Sequence, residues 1–442
     1  MLVFLEDILW VLVLIGVMIN IHEMGHFWVA RYFDVKIDAF SFGFGMRLFG
    51  FRRGETDYRF SLIPFGGYVK MAGEQVTDAG IDDPRAFLAK PRWQRLLIAF
   101  AGPFMNVVLA VGLLTGLYMV KYQKVSDADM EAIIGHVMPD SPAAKAGIQD
   151  GDRIVKMDGK NNPTWEDVGL KELTSAYRPM HLTIDRSGQR FDTTVTPILS
   201  ERFGVGSAGW DERGEVQLES IEPGYPADKA GLKKGDVLVA VNGQPIHSRI
   251  KFQELTKSSG GRPIDIEFER NGQRQTVTVQ PVYAKLDGPA RWMIGVGHVP
   301  KLHITTTRLA LPDALRESLR QNWTGAFLMV QVLKGMVERR MSTKNLTGPI
   351  GMIQLSGDAA RQGATEYLAL MAMVSLQLAL FNLLPIPVLD GGTILMLLVE
   401  MTMRRDLSLN VKEAVFKVGF VCIMALVAFV IYNDISRYLP AG

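Results

Sequence analysis

The chain alternates between long apolar runs and stretches in which charged and apolar positions are mixed. Four runs stand out, at about residues 8–30, 96–120, 367–384 and 415–432. The second has no charged side chain over its 25 residues. About 20 apolar residues in a helix cross a bilayer, so each run predicts a membrane span; the third and fourth are just long enough. Residues 309–341 combine helical periodicity with charges at both ends, which predicts an amphipathic helix on the outer membrane interface. "YRFSLIPFGGYVKM" (58–71) predicts two short strands, 58–63 and 68–71, joined by Pro64-Phe65-Gly66-Gly67 into a hairpin apolar enough to dip into the membrane.

Between the second and third spans the sequence repeats itself. "SPAAKAGIQDGDRIVKMDGK" (141–160) matches "YPADKAGLKKGDVLVAVNGQ" (225–244) at an offset of 84 residues, a domain duplication rather than a solenoid. Each copy reads as a strand, a short helix ending in Ala-Gly, a Gly-Asp turn and a buried strand closed by an Asx-Gly turn. Late in each copy comes a glycine-flanked strand, "FGVGSA" at 203–208 and "IGVGHV" at 294–299. The pattern resembles PDZ domains, and the late strand resembles the circularly permuted bacterial form. That likeness implies a groove that takes an extended peptide by strand addition, with glycine amides for a terminal carboxylate; folded spacers or a steric gate are the alternatives.

Composition agrees with a membrane protein: 48% of residues are apolar and mean hydropathy is positive. Lys plus Arg exceed Asp plus Glu by only two, 48 against 46, so nothing points to a nucleic-acid partner. Cys422, the one cysteine, excludes an internal disulfide or a CxxC metal site and is expected to be a small apolar core or lipid-facing residue. Glu6 and Asp7 stand where a signal peptide would be basic, so the first span is expected to remain in the mature chain. Residues 31–95 hold eleven Lys and Arg, the link between spans three and four holds Arg404, Arg405 and Lys412, and residues 1–8 hold none. The positive-inside rule therefore puts both links in the cytoplasm, and the N-terminus and residues 121–365 on the outer side.

The chemistry lies where charge is most costly. "IHEMGH" (21–26) places His22, Glu23 and His26 at the end of the first span. Four residues apart on a helix, the histidines share a face and can bind one metal, with Glu23 beside them as general base. An idle cluster at that depth is poorly tolerated. A zinc site needs a third protein ligand. Asp34 and Asp38 are near but lie in a basic, polar stretch. "NLLPIPVLDGG" (382–392) puts prolines, glycines and Asp390 into an apolar run, and non-helical backbone at membrane depth belongs where it lines a cavity. Asp390 is therefore the expected ligand, ahead of Glu400. The other histidines, His136, His181, His247, His298 and His303, have no metal-ligand spacing and are expected to be solvated.

HEMGH, "AGPFMN" (101–106), "NLLPIPVLDGG" and the duplicated outer segment, in this order, resemble the site-2 protease family of intramembrane zinc metalloproteases, within it the bacterial regulator-of-sigma-E protease group. The resemblance implies that His22, His26 and Asp390 bind zinc and that Glu23 is the catalytic glutamate. It implies that Asn382 and Pro385 help hold substrate, and that a membrane-reentrant β-loop, with Gly67, Tyr68 and Val69, pairs with it. Expected substrates are single-pass membrane proteins, including anti-sigma factors already cut once and remnant signal peptides. The expected fold is a polytopic α-helical membrane protein of about four spans with a reentrant hairpin and two tandem, circularly permuted PDZ-like domains. Its parts are residues 1–120 (spans one and two), 121–210 and 211–303 (the PDZ-like pair), 304–365 (an outer amphipathic linker) and 366–442 (spans three and four), in a bacterial inner membrane. The alternative function is a membrane-anchored peptide-binding protein whose metal site is structural or inactive.

Overall fold

The computed structural model of the 442-residue chain describes residues 2–74, 83–126, 130–200, 203–286, 290–343 and 348–438. Two compact units emerge, one of Met1–Tyr122, Arg308–Val330 and Leu346–Gly442, the other of Gln123–Thr307 and Gln331–Asn345. Among the described residues, four helices of the first unit are long and apolar enough to cross a membrane: Val3–Tyr32, Arg92–Val120, Ala364–Asn382 and Asn410–Ser436. They are the four runs that hydropathy predicts.

Helices α1 (Leu2–Tyr32) and α2 (Arg92–Val120) meet backbone to backbone. A Cβ on Gly25 would lie 2.3 Å from the Ala101 carbonyl oxygen, so only glycine allows this approach. Small residues at such seams let helices gain close packing where lipid offers no hydrophobic drive. Between them run β1 (Ile37–Arg53) and β2 (Thr56–Met71), long strands that fold back on each other. Phe60 of β2 opposes both Phe49 and Phe42 of β1, while Phe42 also opposes Gly67 and Phe40 opposes Val69. Segments 58–63 and 68–71 thus flank 37–44 on its two edges and do not pair with each other as a hairpin. The reason is local: the tight reversal is at Gly54, at φ 62°, and Gly66, at φ 123°, carries the chain across the central strand. Phe44, Leu48, Phe49, Phe51 and Leu62 leave this sheet with an exposed apolar surface.

The second unit holds the two repeats. The first comprises β3 (Ile134–Val137), β4 (Arg153–Met157), α3 (Trp165–Thr174), β5 (Met180–Arg186), β6 (Gln189–Val195) and β7 (Trp210–Glu212). The second comprises β8 (Glu215–Ile221), β9 (Val237–Val241), α4 (Arg249–Ser258), β10 (Ile264–Arg270), β11 (Gln273–Val279) and β12 (Val296–Lys301). In each, the last strand pairs antiparallel with the first, β7 with β3 and β12 with β8. Alternating Ile, Leu and Val pack the cores, around Ile134, Ile154 and Ile184 in one and Leu218, Leu238 and Ile266 in the other. The Gly-Asp turns of the repeat have a structural task. Asp152 and Asp236, each 1% exposed, are held in a fork by Arg186 (2.7 and 2.8 Å) and Arg270 (2.6 and 2.6 Å). Bidentate pairs of this kind are the strong ones.

The repeat differs from its sequence alignment in one place. Ala143 N–H donates to Ala208 O and Met138 N–H to Gly209 O, just as Ala227 N–H donates to Ile294 O and Glu222 N–H to Gly295 O. Gly209 and Gly295 both have φ near 80°. The structural counterpart of "IGVGHV" is therefore 208–213, and the "FGVG" of 203–206 belongs to the preceding short pair, Ile198–Leu199 with Gly206–Ser207. Neither is His136 solvated: it is 5% exposed, with Nδ1 2.9 Å from Asp150 and Nε2 2.7 Å from Glu254 of the second repeat.

The chain then enters α5 (Leu311–Val337), α6 (Pro349–Gln362), α7 (Ala364–Asn382), α8 (Asp390–Met403) and α9 (Leu409–Tyr438). The helical periodicity of 309–341 yields α5, whose Ser318 donates to the Val111 carbonyl of α2. Helix α6 has no apolar run to announce it. Pro349 at its first position and the buried Asp434 carboxylate, accepting from the amides of Gly348, Ile350 and Gly351, start it. Cys422 is exposed on α9.

Candidate metal centre

The first unit encloses a cavity of about 820 Å³ whose lining includes His22, Glu23, His26, Asn382 and Asp390. His22 and His26, one helical turn apart on α1, are 7% and 9% exposed. Asp390 enters from the first turn of α8 after a loop that ends the third span. That loop is strained: Val388, a β-branched residue, has φ 91°. It also lies tightly over the helix start, since Cβ atoms on Gly391 and Gly392 would come within 2.2 and 2.4 Å of the Leu384 and Ile386 carbonyl oxygens. The Gly pair of "LDGG" and the prolines before it thus aim one carboxylate inward.

Three donor atoms converge. His22 Nε2 is 3.2 Å from His26 Nε2 and 3.1 Å from Asp390 Oδ2, and His26 Nε2 is 3.5 Å from Asp390 Oδ1. His26 Nδ1 is 2.7 Å from the Ile98 carbonyl, which can only accept, so the ring proton is on Nδ1 and Nε2 presents a lone pair. Lone pairs from two imidazoles and a carboxylate, aimed at one point in a buried site, repel one another unless a cation sits between them. Imidazole nitrogen and carboxylate oxygen form a donor set that zinc takes, with a fourth position left for water. The residues fit the metal.

Helix α2 supplies what sequence reasoning left without chemistry in "AGPFMN". A Cβ at Gly102 would lie 2.3 Å from His26 Nε2 and 2.8 Å from His22 Cε1, so glycine is needed where α2 passes the two imidazoles. Asn106, fully buried, has its side-chain amide 3.3 Å from His22 Nδ1 and holds that ring in place. Spacing in the sequence signals neither residue, because each acts across a helix seam.

Glu23 lies beside the triad, its Oε2 accepting from the Val69 amide at 3.1 Å. Val69 belongs to 67–71, the edge of the sheet, and a Cβ on neighbouring Gly67 would be 3.5 Å from Glu23 Cγ. Asn382 Nδ2 is 3.4 Å from His22 Nε2. Tyr68 lines the same cavity. Pro385 lies in the loop that ends α7. Asp34 is at the surface, 73% exposed and paired with Arg85. Glu400, 1% exposed, lines the cavity away from the triad, bound to Lys412 at 2.7 Å and to the Leu407 amide at 3.0 Å.

A family model described as Peptidase family M50 matches residues 10–426. The chain belongs to peptidase family M50. This M50 peptidase is 33% identical to the regulator of sigma-E protease RseP of Salmonella typhimurium, over 98% of its own length and 99% of the relative's. It is 31% identical to the protein of the same name from Escherichia coli K12, over 99% and 100%. It is 29% identical to a Vibrio cholerae protein designated a candidate zinc metalloprotease, over 98% and 100%. The M50 peptidase is a metalloendopeptidase of the membrane, and the convergent triad lies in its apolar unit.

Proposed function

We propose that His22, His26 and Asp390 hold a zinc ion, that Glu23 is the catalytic glutamate, and that the substrates are single-pass membrane proteins cut within or beside their spans. Anti-sigma factors after a first cleavage and remnant signal peptides fit this class. The convergence of three buried donors with Glu23 alongside, on helices long enough to cross a bilayer, carries the reading. Bound zinc would acidify a coordinated water and polarise the scissile carbonyl. Glu23 takes a proton from the attacking water and returns it to the leaving amine. The Val69 amide holds the Glu23 carboxylate on the cavity side of the sheet edge. His26 keeps its lone pair toward the metal position because Ile98 fixes the tautomer.

A membrane helix must unwind before its carbonyls can be reached. The edge formed by Gly67, Tyr68 and Val69 is suited to pairing with the unwound segment, replacing its lost hydrogen bonds. Asn382 and Pro385, at the end of α7, would hold it from the other wall. The exposed phenylalanines of β1 support a sheet that dips into the lipid as a reentrant element. The charge asymmetry of the links favours an inner membrane topology with residues 31–95 cytoplasmic, the N-terminus and the modules outside, and water reaching the centre from the cytoplasm. The modules at 121–210 and 211–303 read as circularly permuted PDZ-like domains, since the closing strand of each pairs with its opening strand.

The test is cleavage of a transmembrane model substrate by purified protein, with Glu23→Gln alongside. The variant should bind zinc as the parent does and lose about 10²–10⁴ in rate, the usual worth of a general base. Equal cleavage by both proteins would refute the assignment.

A further inference from the structure

The two outer modules share the order of their strands and helix and the Asp–Arg fork, and they differ at one end of the groove. Helices α3 and α4 are equivalent, ten residues each, beginning after the capping residues Thr164 and Ser248. Their eighth residues are Glu172 and Thr256. In the first module the Glu172 carboxylate accepts from the Ala208 amide at 2.6 Å and from the Trp210 indole at 2.8 Å. Ala208 and Trp210 are 0% and 5% exposed, and they flank Gly209, the positive-φ glycine at the start of the last strand. A Cβ at Gly206 would lie 2.2 Å from the Glu172 carbonyl oxygen, so the end of α3 rests directly on the chain leading into that strand.

The second module lacks that carboxylate. The counterpart of the Ala208 amide is that of Ile294, next to Gly295. Thr256 brings it no carboxylate: its hydroxyl donates to the Phe252 carbonyl in its own helix at 2.9 Å. Strand β12 faces α4 with His298, whose Nε2 is 3.1 Å from Gln253, a polar contact between two side chains that a ligand can displace.

A glycine-rich turn whose amides point outward captures carboxylates, and peptide-binding modules use such turns for a ligand's C-terminus. We propose that the first module is closed in cis, the Glu172 carboxylate occupying the place that the second module keeps for the terminal carboxylate of a bound peptide. This rests on the reading of the modules as peptide-binding domains. The pair is then functionally single: one receptor and one copy that carries its own ligand group.

The experiment uses the full chain in detergent micelles and a fluorescent peptide with an apolar last residue and a free carboxyl terminus, its C-terminal amide serving as the control. Wild type should bind one peptide per chain and none of the amide. Glu172→Ala should bind two, and Glu172→Thr, the residue type that the second module carries at this place, should also gain the second site if the alanine variant folds poorly. The reciprocal Thr256→Glu should bind none. One peptide per chain in wild type and in both Glu172 variants would overturn the capping while leaving peptide binding intact, as would two in wild type. No peptide bound by any of the proteins would overturn the peptide-binding reading and the capping together.

Discussion

His22, His26 and Asp390 face one another with acceptor atoms 3.1–3.5 Å apart, whereas Asp152 and Asp236 are each enclosed by arginine donors. Both regions bury charge or its equivalent. In the second unit every one of these carboxylates is satisfied by protein, so the burial is structural and the two copies keep it in the same form. In the membrane unit the donors are left for a cation, and the surrounding glycines and amides orient them. Polar burial that closes on itself builds a scaffold; polar burial left open at one point builds a site. Glu172 lies between these cases, a scaffold carboxylate standing in a ligand's position.

The sharpest way to break the comparison is Gly102→Val. Branched carbons beside His26 Nε2 should abolish metal binding, a loss beyond the roughly 100-fold typical of outer-partner changes, with the second unit still folded; metal analysis and circular dichroism read the two. Asp236→Ala should do the reverse. It strands the Arg270 fork and is expected to cost about 3 kcal/mol of the second unit's stability in chemical denaturation, with metal content unchanged.

A pH effect of similar size belongs to Glu172. Burial, with Asp211 nearby, pushes its carboxyl up to about 7 against two opposing hydrogen bonds, from an ordinary value of 4.5. The folded module therefore holds a proton between pH 4.5 and 7 that the unfolded chain has lost, and stability falls as pH rises through that window, by roughly 3 kcal/mol in all. Below pH 4.5 the contribution is fully present; above 7 it is gone. Glu172→Gln should flatten the profile, as read by denaturant midpoints at pH 5 and 8. The smallest expected effect is Asn106→Ala, which frees the His22 ring and should weaken zinc affinity by about 10–100-fold without unfolding either unit; competition with a chelator measures it.

Much of the centre was legible in the sequence because its signals are strong ones: a charged trio ending an apolar run, and prolines and glycines interrupting another. Asp390 could be chosen over Glu400 on those grounds, and the structure has Glu400 bound to Lys412 instead. Gly102 and Asn106 were not legible as functional, since their work depends on which face of α2 meets α1. The strand order around 37–44 escaped for a related reason. Alternation marks a strand but does not say which neighbour it pairs with, and 37–44 pairs on both edges. Helix α6 was missed because an aspartate 85 residues beyond Pro349 starts it, Asp434. The glycine motif of the first repeat was misassigned because "FGVG" looks more like "IGVG" than "SAGW" does, although hydrogen bonding pairs Gly209 with Gly295.

The distance along the chain between the donors has a consequence for biosynthesis. His26 and Asp390 are 390 − 26 = 364 residues apart. At synthesis rates of about 5–20 residues per second, the first half of the centre waits roughly 20–70 s for the second to leave the ribosome. A nascent chain already threaded into the translocon lacks one of the three converging side chains during that time. A hydrolase made beside other newly inserted proteins is thereby without its convergent triad until nearly its last span is made.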